Sequence, residues 1–420
     1  MRIIWRFNGL GVSALKVTSL LMGLGFGPGL SSLAQAQTIQ PLTNVDVAAH
    51  TGYFSDPYFV PYAGSKAYIT GTTQKYLTCP GTLQPKCAQE QEVVVDWNNL
   101  QVQADKAGAT ITSIAGLHPL QNSQGYWMMV LTLHVQKKGS SGGSGGATVG
   151  WSVIVHATAE EGSQHSSTPP LKWTADELLV GSFANDSANA NYNGKYFEHD
   201  GQLYLTYSKQ LSQTPHRDGI VAQKMKSPTE KAAEPLVILL QPSDDSDSKN
   251  SELYFEDNGF KLVETCNITK INGKFALAYS VGAFNRDNYK LAVAWSDTFL
   301  PPSGKTYRKV TRPDPDGIWS TNKHDEVVYL LQAEKAKWPN FVKSKVISPG
   351  VPTITTAGDG SWVIVFAGYD PKDAPKNDNG TYEGNHRRPY YVKINVDVPG
   401  DKSVSAVSQT ELASWITLAK

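Results

Sequence analysis

The sequence predicts an all-β protein folded as a five-bladed β-propeller, and three observations carry that expectation. A Gly-centred turn followed by an alternating apolar strand recurs five times: Tyr62-Ala-Gly-Ser-Lys-Ala-Tyr-Ile-Thr, Ser123-Gln-Gly-Tyr-Trp-Met-Met-Val-Leu, His199-Asp-Gly-Gln-Leu-Tyr-Leu-Thr-Tyr, Ile271-Asn-Gly-Lys-Phe-Ala-Leu-Ala-Tyr and Gly358-Asp-Gly-Ser-Trp-Val-Ile-Val-Phe. The copies lie roughly 60 to 90 residues apart, which suits one four-stranded sheet per copy. Asp-Gly and Asn-Gly are the residue pairs that two-residue hairpins require. The 10 Trp and 19 Tyr fit β-rich cores, and they also fit surfaces on which sugar rings stack.

Taken in order, the first 36 residues read as a secretory signal. Arg2, Arg6 and Lys16 precede an apolar run from Val17 to Leu30, and Ala34-Gln35-Ala36 has the form of a cleavage site. Gly23, Gly25, Gly27 and Pro28 interrupt a run already short for a membrane span. The expected organisation is therefore a signal peptide over 1–36 and one propeller catalytic domain over 37–420, exported to the periplasm or the medium with no membrane attachment after cleavage. Cys79 and Cys87 flank a Pro/Gly-containing loop that suits a small disulfide in an oxidising compartment, which leaves Cys266 as a buried thiol. Lys plus Arg equals Asp plus Glu at 38 each, so no global field draws nucleic acid or an anionic surface. A carbohydrate partner and a monomeric state are expected.

Within the propeller, period-two alternation marks Trp151–Thr158 as the third strand of blade two and Gly219–Met225 as that of blade three. Blade four reads as Glu264–Ile271, Lys274–Ser280 and Tyr289–Ser296. The Gly/Ser tract from Lys137 to Gly150 separates two strands of blade two and reads as an internal loop rather than a domain linker.

Strand direction alternates in an antiparallel blade, so the start of strand 1 and the loop between strands 2 and 3 share one end of the ring. That end gathers Asp56, His118, Asn191, Asn193 and Glu264 from the strand starts, and Arg217, Asp218, Arg286, Asp287, His386 and Arg387 from the loops. Asp56 and Glu264, from blades one and four, converge on a central cavity as a carboxyl pair suited to glycoside hydrolysis: one protonates the leaving oxygen, the other activates water. An Asp before Pro is also an ordinary turn residue, and a strand-end Glu is often simply solvated. Arg217, Arg286 and Arg387 occupy matching positions where guanidinium forks hold carboxylates or sugar hydroxyls, although the first two also read as surface charges beside an Asp. Asn193 is a further sugar-binding candidate. His118 and His386 are candidates for positioning water, ligating a central ion or a purely structural role. No residue set has metal-ligand spacing.

These residues resemble the five-bladed propellers of glycoside hydrolase family 43. Asp56-Pro-Tyr-Phe with Ala67-Tyr-Ile-Thr-Gly-Thr-Thr is similar to the family's first-blade signature, whose Asp is the general base; Glu264 before Ile268-Thr-Lys-Ile-Asn-Gly-Lys-Phe is similar to its acid strand. Val293-Ala-Trp-Ser-Asp-Thr-Phe-Leu-Pro-Pro and Pro349-Gly-Val-Pro with Arg387-Arg-Pro resemble later blades. The resemblance implies inverting hydrolysis of arabinose- or xylose-containing plant polysaccharide with no required cofactor, and it allows a structural calcium on the axis. The chain departs from the pattern at three places. Asn191 and Asn193 stand where the family has the Asp that tunes the acid, with Asp186 nearby as a substitute; Glu264-Thr-Cys replaces Glu-Gly-Pro; Val351 replaces a His. A binding propeller without turnover and a retaining fructan-active enzyme are the alternatives.

Overall fold

In the computed structural model, each Gly-centred hairpin joins the first two strands of one antiparallel sheet. The structure describes residues 40–41, 56–60, 66–71, 74–80, 89–139, 150–184, 191–214, 216–243, 261–312, 326–333, 343–344 and 346–419. The signal segment, the loop that would join Cys79 to Cys87, most of the Gly/Ser tract and Asp186 lie outside them.

The chain folds as a five-bladed β-propeller. Blade one runs Tyr58–Val60, Lys66–Thr70, Lys75–Pro80 and Gln89–Glu92. Blade two runs Ala109–Gln121, Trp127–Lys137, Gly150–Ala159 and Lys172–Val180, so the Gly/Ser tract does join strands 2 and 3 of a single sheet. Blade three runs Asn191–His199, Gln202–Gln213 and His216–Ser227 with Val237–Leu240 outermost. Blade four has Lys261–Ile271, Lys274–Val281 and Lys290–Ser296, edged by Leu331–Ala333. Blade five has Ile347–Thr356, Trp362–Tyr369 and Arg387–Val396. Its third strand pairs with Gln40–Pro41 and also with Ile416–Leu418, so segments from both ends of the chain complete the last sheet.

Local chemistry explains the hairpins. Asp200-Gly201 and Asn272-Gly273 have positive φ at both positions, at 50° and 73°, and at 47° and 80°, the backbone that a two-residue turn of matching twist demands. The core lies between blades, because each sheet buries both faces against its neighbours. Met128, Val130 and Ile154 of blade two pack on Tyr196, Leu205 and Val221 of blade three. Ala278, Leu291 and Trp295 of blade four pack on Ile354, Ile364 and Phe366 of blade five. Each such aliphatic side chain contributes about 1.5–3 kcal/mol on burial. The seam between blades three and four is different, since Arg217 and Asp218 pair in parallel with Lys261 and Leu262 and fuse the two blades into one hydrogen-bonded sheet. This junction places Asp218 beside the strand that carries Glu264.

Candidate active site

The five inner strands deliver residues to the axis in rungs. Gly116, Tyr192, Glu264 and Gly350 each pair with a residue sixteen or seventeen positions later, namely Thr132, Ser208, Ser280 and Ala367. Asp56, two residues ahead of the Tyr58–Thr70 pair, is the blade-one counterpart. A deeper rung holds Tyr58, His118, Lys195, Asn267 and Thr353, whose partners lie eleven or twelve positions on. In blades three, four and five one extra residue separates the rungs: Asn193, Thr265 and Val351 have φ of 55°, 61° and 57°. Left-handed backbone at a β-branched Thr or Val costs about 1–3 kcal/mol, and such bulges re-aim the side chains on either side. The bulge at Thr265 is pinned because its hydroxyl lies 2.7 Å from that of Ser280, which also accepts from the Val351 N–H at 2.7 Å.

Glu264 is buried, and the Tyr289 hydroxyl donates to its Oε1 at 2.5 Å. Gly350 makes this possible, since a Cβ there would sit 1.9 Å from the Tyr289 ring. Burial pushes the Glu264 carboxyl up to about 7; the Tyr289 hydrogen bond and Arg387 pull against that, while the charges of Asp56 and Asp218 add to it. Asp56 is also raised, by burial, against the opposing pull of Arg387 and Lys195. Asp218 is buried and accepts from the Tyr192 hydroxyl at 3.0 Å, with His216 Nε2 at 2.8 Å from its other oxygen. Burial raises it and His216 opposes. The arrangement thus sets Glu264 within the fields of two further carboxyls, Asp56 and Asp218, which favours its protonated form at neutral pH.

Of the residues expected from sequence, Asp56, Glu264 and Arg387 meet at this site. Arg387 is fully buried; NH1 donates to the carbonyls of Phe284 at 2.8 Å and Ser348 at 3.1 Å, and NH2 to that of Ala367 at 3.2 Å. Its guanidinium lies between the rings of Tyr289 and Tyr369, at 5.2 and 5.4 Å. It is therefore a clamp across blades four and five whose field reaches both carboxyls, rather than a sugar ligand. His118 lies on the deeper rung, edge-on to Tyr58 with centroids 5.2 Å apart. Asn193 is half-buried at the bulge, and the inner-strand side chain that reaches Asp218 on the Glu264 rung is its neighbour Tyr192. Arg217 is half-buried beside Asp218, and Arg286 is exposed at the rim. His386 is held in a blade-five loop by Asp373 at 3.2 Å and Glu383 at 3.5 Å. Sequence reasoning places Asp218 at this end only as a loop neighbour of Arg217, and it misses Tyr192, Tyr289 and Lys195. The seam between blades three and four was the missing information for Asp218.

The deeper rung offers a phenol, an imidazole, an ammonium, an amide and a hydroxyl, with no carboxylate. Calcium takes six to eight oxygens, carboxylates prominent among them, so this donor set does not fit an axial calcium. Among the described residues, no group of three or more His, Cys, Asp or Glu is placed to hold a metal ion.

Residues 120–397 match the glycosyl hydrolases family 43. The chain belongs to glycosyl hydrolase family 43. The stretch matched includes Glu264, Asp218 and Arg387 of this glycoside hydrolase, and blade one with Asp56 precedes it. Among solved structures, the hydrolase is similar to an α-L-arabinofuranosidase from Lactobacillus brevis, with 14% identity, 86% of this chain and 93% of that one covered, and a TM-score of 0.56. It is also similar to an α-L-arabinanase from Cellvibrio cellulosa complexed with arabinohexaose, with 14% identity, 87% and 98% covered, and a TM-score of 0.51. A xylan β-1,4-xylosidase from Bacillus halodurans shows 14% identity, 91% and 56% covered, and a TM-score of 0.51. No curated protein matches the family 43 hydrolase.

Proposed function

We propose that this hydrolase cleaves arabinose- or xylose-containing polysaccharide or oligosaccharide by single displacement, with Asp56 as the base that activates water and Glu264 as the acid that protonates the departing oxygen. The observation that carries the assignment is the Glu264 environment: a buried carboxyl, bonded by Tyr289 and raised to about 7 by burial against that bond, with two further carboxylates close enough to disfavour its ionisation. An acid must hold its proton at working pH, and its partner must lose one. Arg387 and Lys195 favour the ionised form of Asp56, which divides the roles.

Asp218 takes the part of the tuning carboxylate that Asn191 and Asn193 do not supply. It enters from the third strand of blade three rather than the first, and Tyr192 connects that inner strand to it. The sugar class is supported by the arabinofuranosidase, arabinanase and xylosidase among its structural neighbours, and inversion by family membership. Mature protein incubated with arabinan, arabinoxylan and aryl glycosides tests the reading. Product of inverted anomeric configuration is expected from the native chain, with a loss of about a hundred- to ten-thousandfold in Asp56→Asn on every substrate and in Glu264→Gln on the polysaccharides, whose leaving groups need the proton. Tight sugar binding without turnover would instead make it a lectin-like propeller. Export rests on the 1–36 segment, and a mature N-terminus at Gln37 in the exported protein is the expected sequencing result.

A further inference from the structure

Lys195 is the one deep-rung residue that carries charge near neutral pH. It is buried in the first strand of blade three, with Nζ 5.9 Å above the Tyr58 ring and 3.5 Å from the Asn193 carbonyl. Its neighbours there are neutral: burial pushes the Tyr58 phenol and the Cys266 thiol up to about 12, and burial holds His118 well below the usual imidazole range, helped by Lys195 itself. Three polar atoms of the same rung, His118 Nδ1, Asn267 Oδ1 and Thr353 Oγ1, are buried without a hydrogen-bond partner among the described residues. Tyr58, Lys195, Asn267 and Thr353 line a common cavity of about 260 Å³. An ammonium and orphaned polar atoms around one axis are what a cation site looks like when the cation belongs to the chain. Above it stand Asp56 and Glu264, whose charges both act on Lys195, and Arg387 faces them from blade five.

We propose that the Lys195 ammonium is the resident cation of the propeller axis, in place of a bound metal ion, and that it is a positioning residue holding Asp56 ionised. The catalytic half rests on the reading of Asp56 as the base; the electrostatic half does not. Removal of the ammonium leaves Arg387 as the remaining cation at Asp56, so Asp56 becomes harder to ionise.

The test is ¹³C NMR of aspartate carboxyls in the full mature chain, with the Asp56 signal assigned by its loss in Asp56→Asn, alongside pH profiles of kcat/KM. In Lys195→Met the Asp56 midpoint is expected to rise by about one unit, and the acidic limb of activity to rise with it; Lys195→Arg is expected to restore both. An unmoved Asp56 midpoint in a folded Lys195→Met protein overturns the proposal. A midpoint that moves while the acidic limb stays fixed upholds the axial cation and rejects Asp56 as the base. The native protein supplies a readout that does not depend on the variants folding: calcium is expected neither to copurify nor to shift the melting temperature, and one bound calcium per chain with a raised melting temperature overturns the assignment.

Discussion

Tyr289→Phe isolates one hydrogen bond. The ring that fills the space above Gly350 and stacks on Arg387 is kept, and the hydroxyl 2.5 Å from Glu264 Oε1 is lost. A hydrogen bond to a charged group is worth about 1.5–3 kcal/mol, and each 1.36 kcal/mol of preference between protonation states is about one pH unit. Because the Tyr289 hydroxyl favours the carboxylate, its removal raises Glu264 from about 7 by about one to two units. An acid that holds its proton longer extends activity upward, so the basic limb of kcat/KM is expected near pH 8 or above, with the lower plateau changed about threefold or less. The substrate must have a poor leaving group, such as an unmodified oligosaccharide, since a nitrophenol departs without protonation and hides the limb. A basic limb that stays in place or moves down would falsify the assignment of Glu264 as the acid tuned by Tyr289.

Asp218→Asn is expected to move the same limb the opposite way, to lower pH by about half to one unit, because a negative charge that opposes Glu264 ionisation is removed; an upward shift would reject the tuning role. Glu264→Gln should raise the melting temperature in a pH-dependent way. The folded state holds the Glu264 proton more tightly than the unfolded state, so the native chain loses stability from about pH 4.5 to about pH 7 and no further above that; the variant's advantage should grow across that window and then level off. Arg387→Met should cost roughly 2–4 kcal/mol by denaturant titration, since it leaves three carbonyls without their buried donor. A loss under about 1 kcal/mol would show that the clamp is not structural.

The hairpin turns, the blade order and the end of the ring that collects polar residues were legible, because Gly-centred turns and period-two alternation are local signals. Asp56 and Glu264 could be found because strand polarity alone decides at which end a strand begins. The rest of the site depends on register, which a sequence does not display. His118 shares the polar end of the ring with Glu264 in the sequence reading, and its partner Val130 puts it one rung deeper. Asn193 drew attention through its residue type, while the bulge presents Tyr192 instead. Nothing local to Thr265 or Val351 announces positive φ, since both are β-branched residues for which that backbone is unfavourable. Asp218 was read as a neighbour of Arg217 in a loop; its place opposite Leu262 arises only from the parallel pairing of two blades. Arg387 was expected to be available to sugar, and its carbonyl partners come from blades four and five together.

The fused seam has a mechanical corollary. Tyr192, Asp218, Glu264 and Tyr289 all ride on the slab made by blades three and four, whereas Asp56 and Arg387 are mounted on separate sheets. Any hinging of the circle at its other joints changes how far the water-activating group stands from the proton donor but leaves the donor's Asp218 and Tyr289 partners travelling with it. Hinging therefore changes the aperture together with the Asp56 and Arg387 fields at Glu264, while the Asp218 charge and the Tyr289 hydrogen bond stay fixed, so substitutions at the blade-one or blade-five joints should alter substrate fit and move the alkaline side of the pH profile less than Tyr289→Phe does.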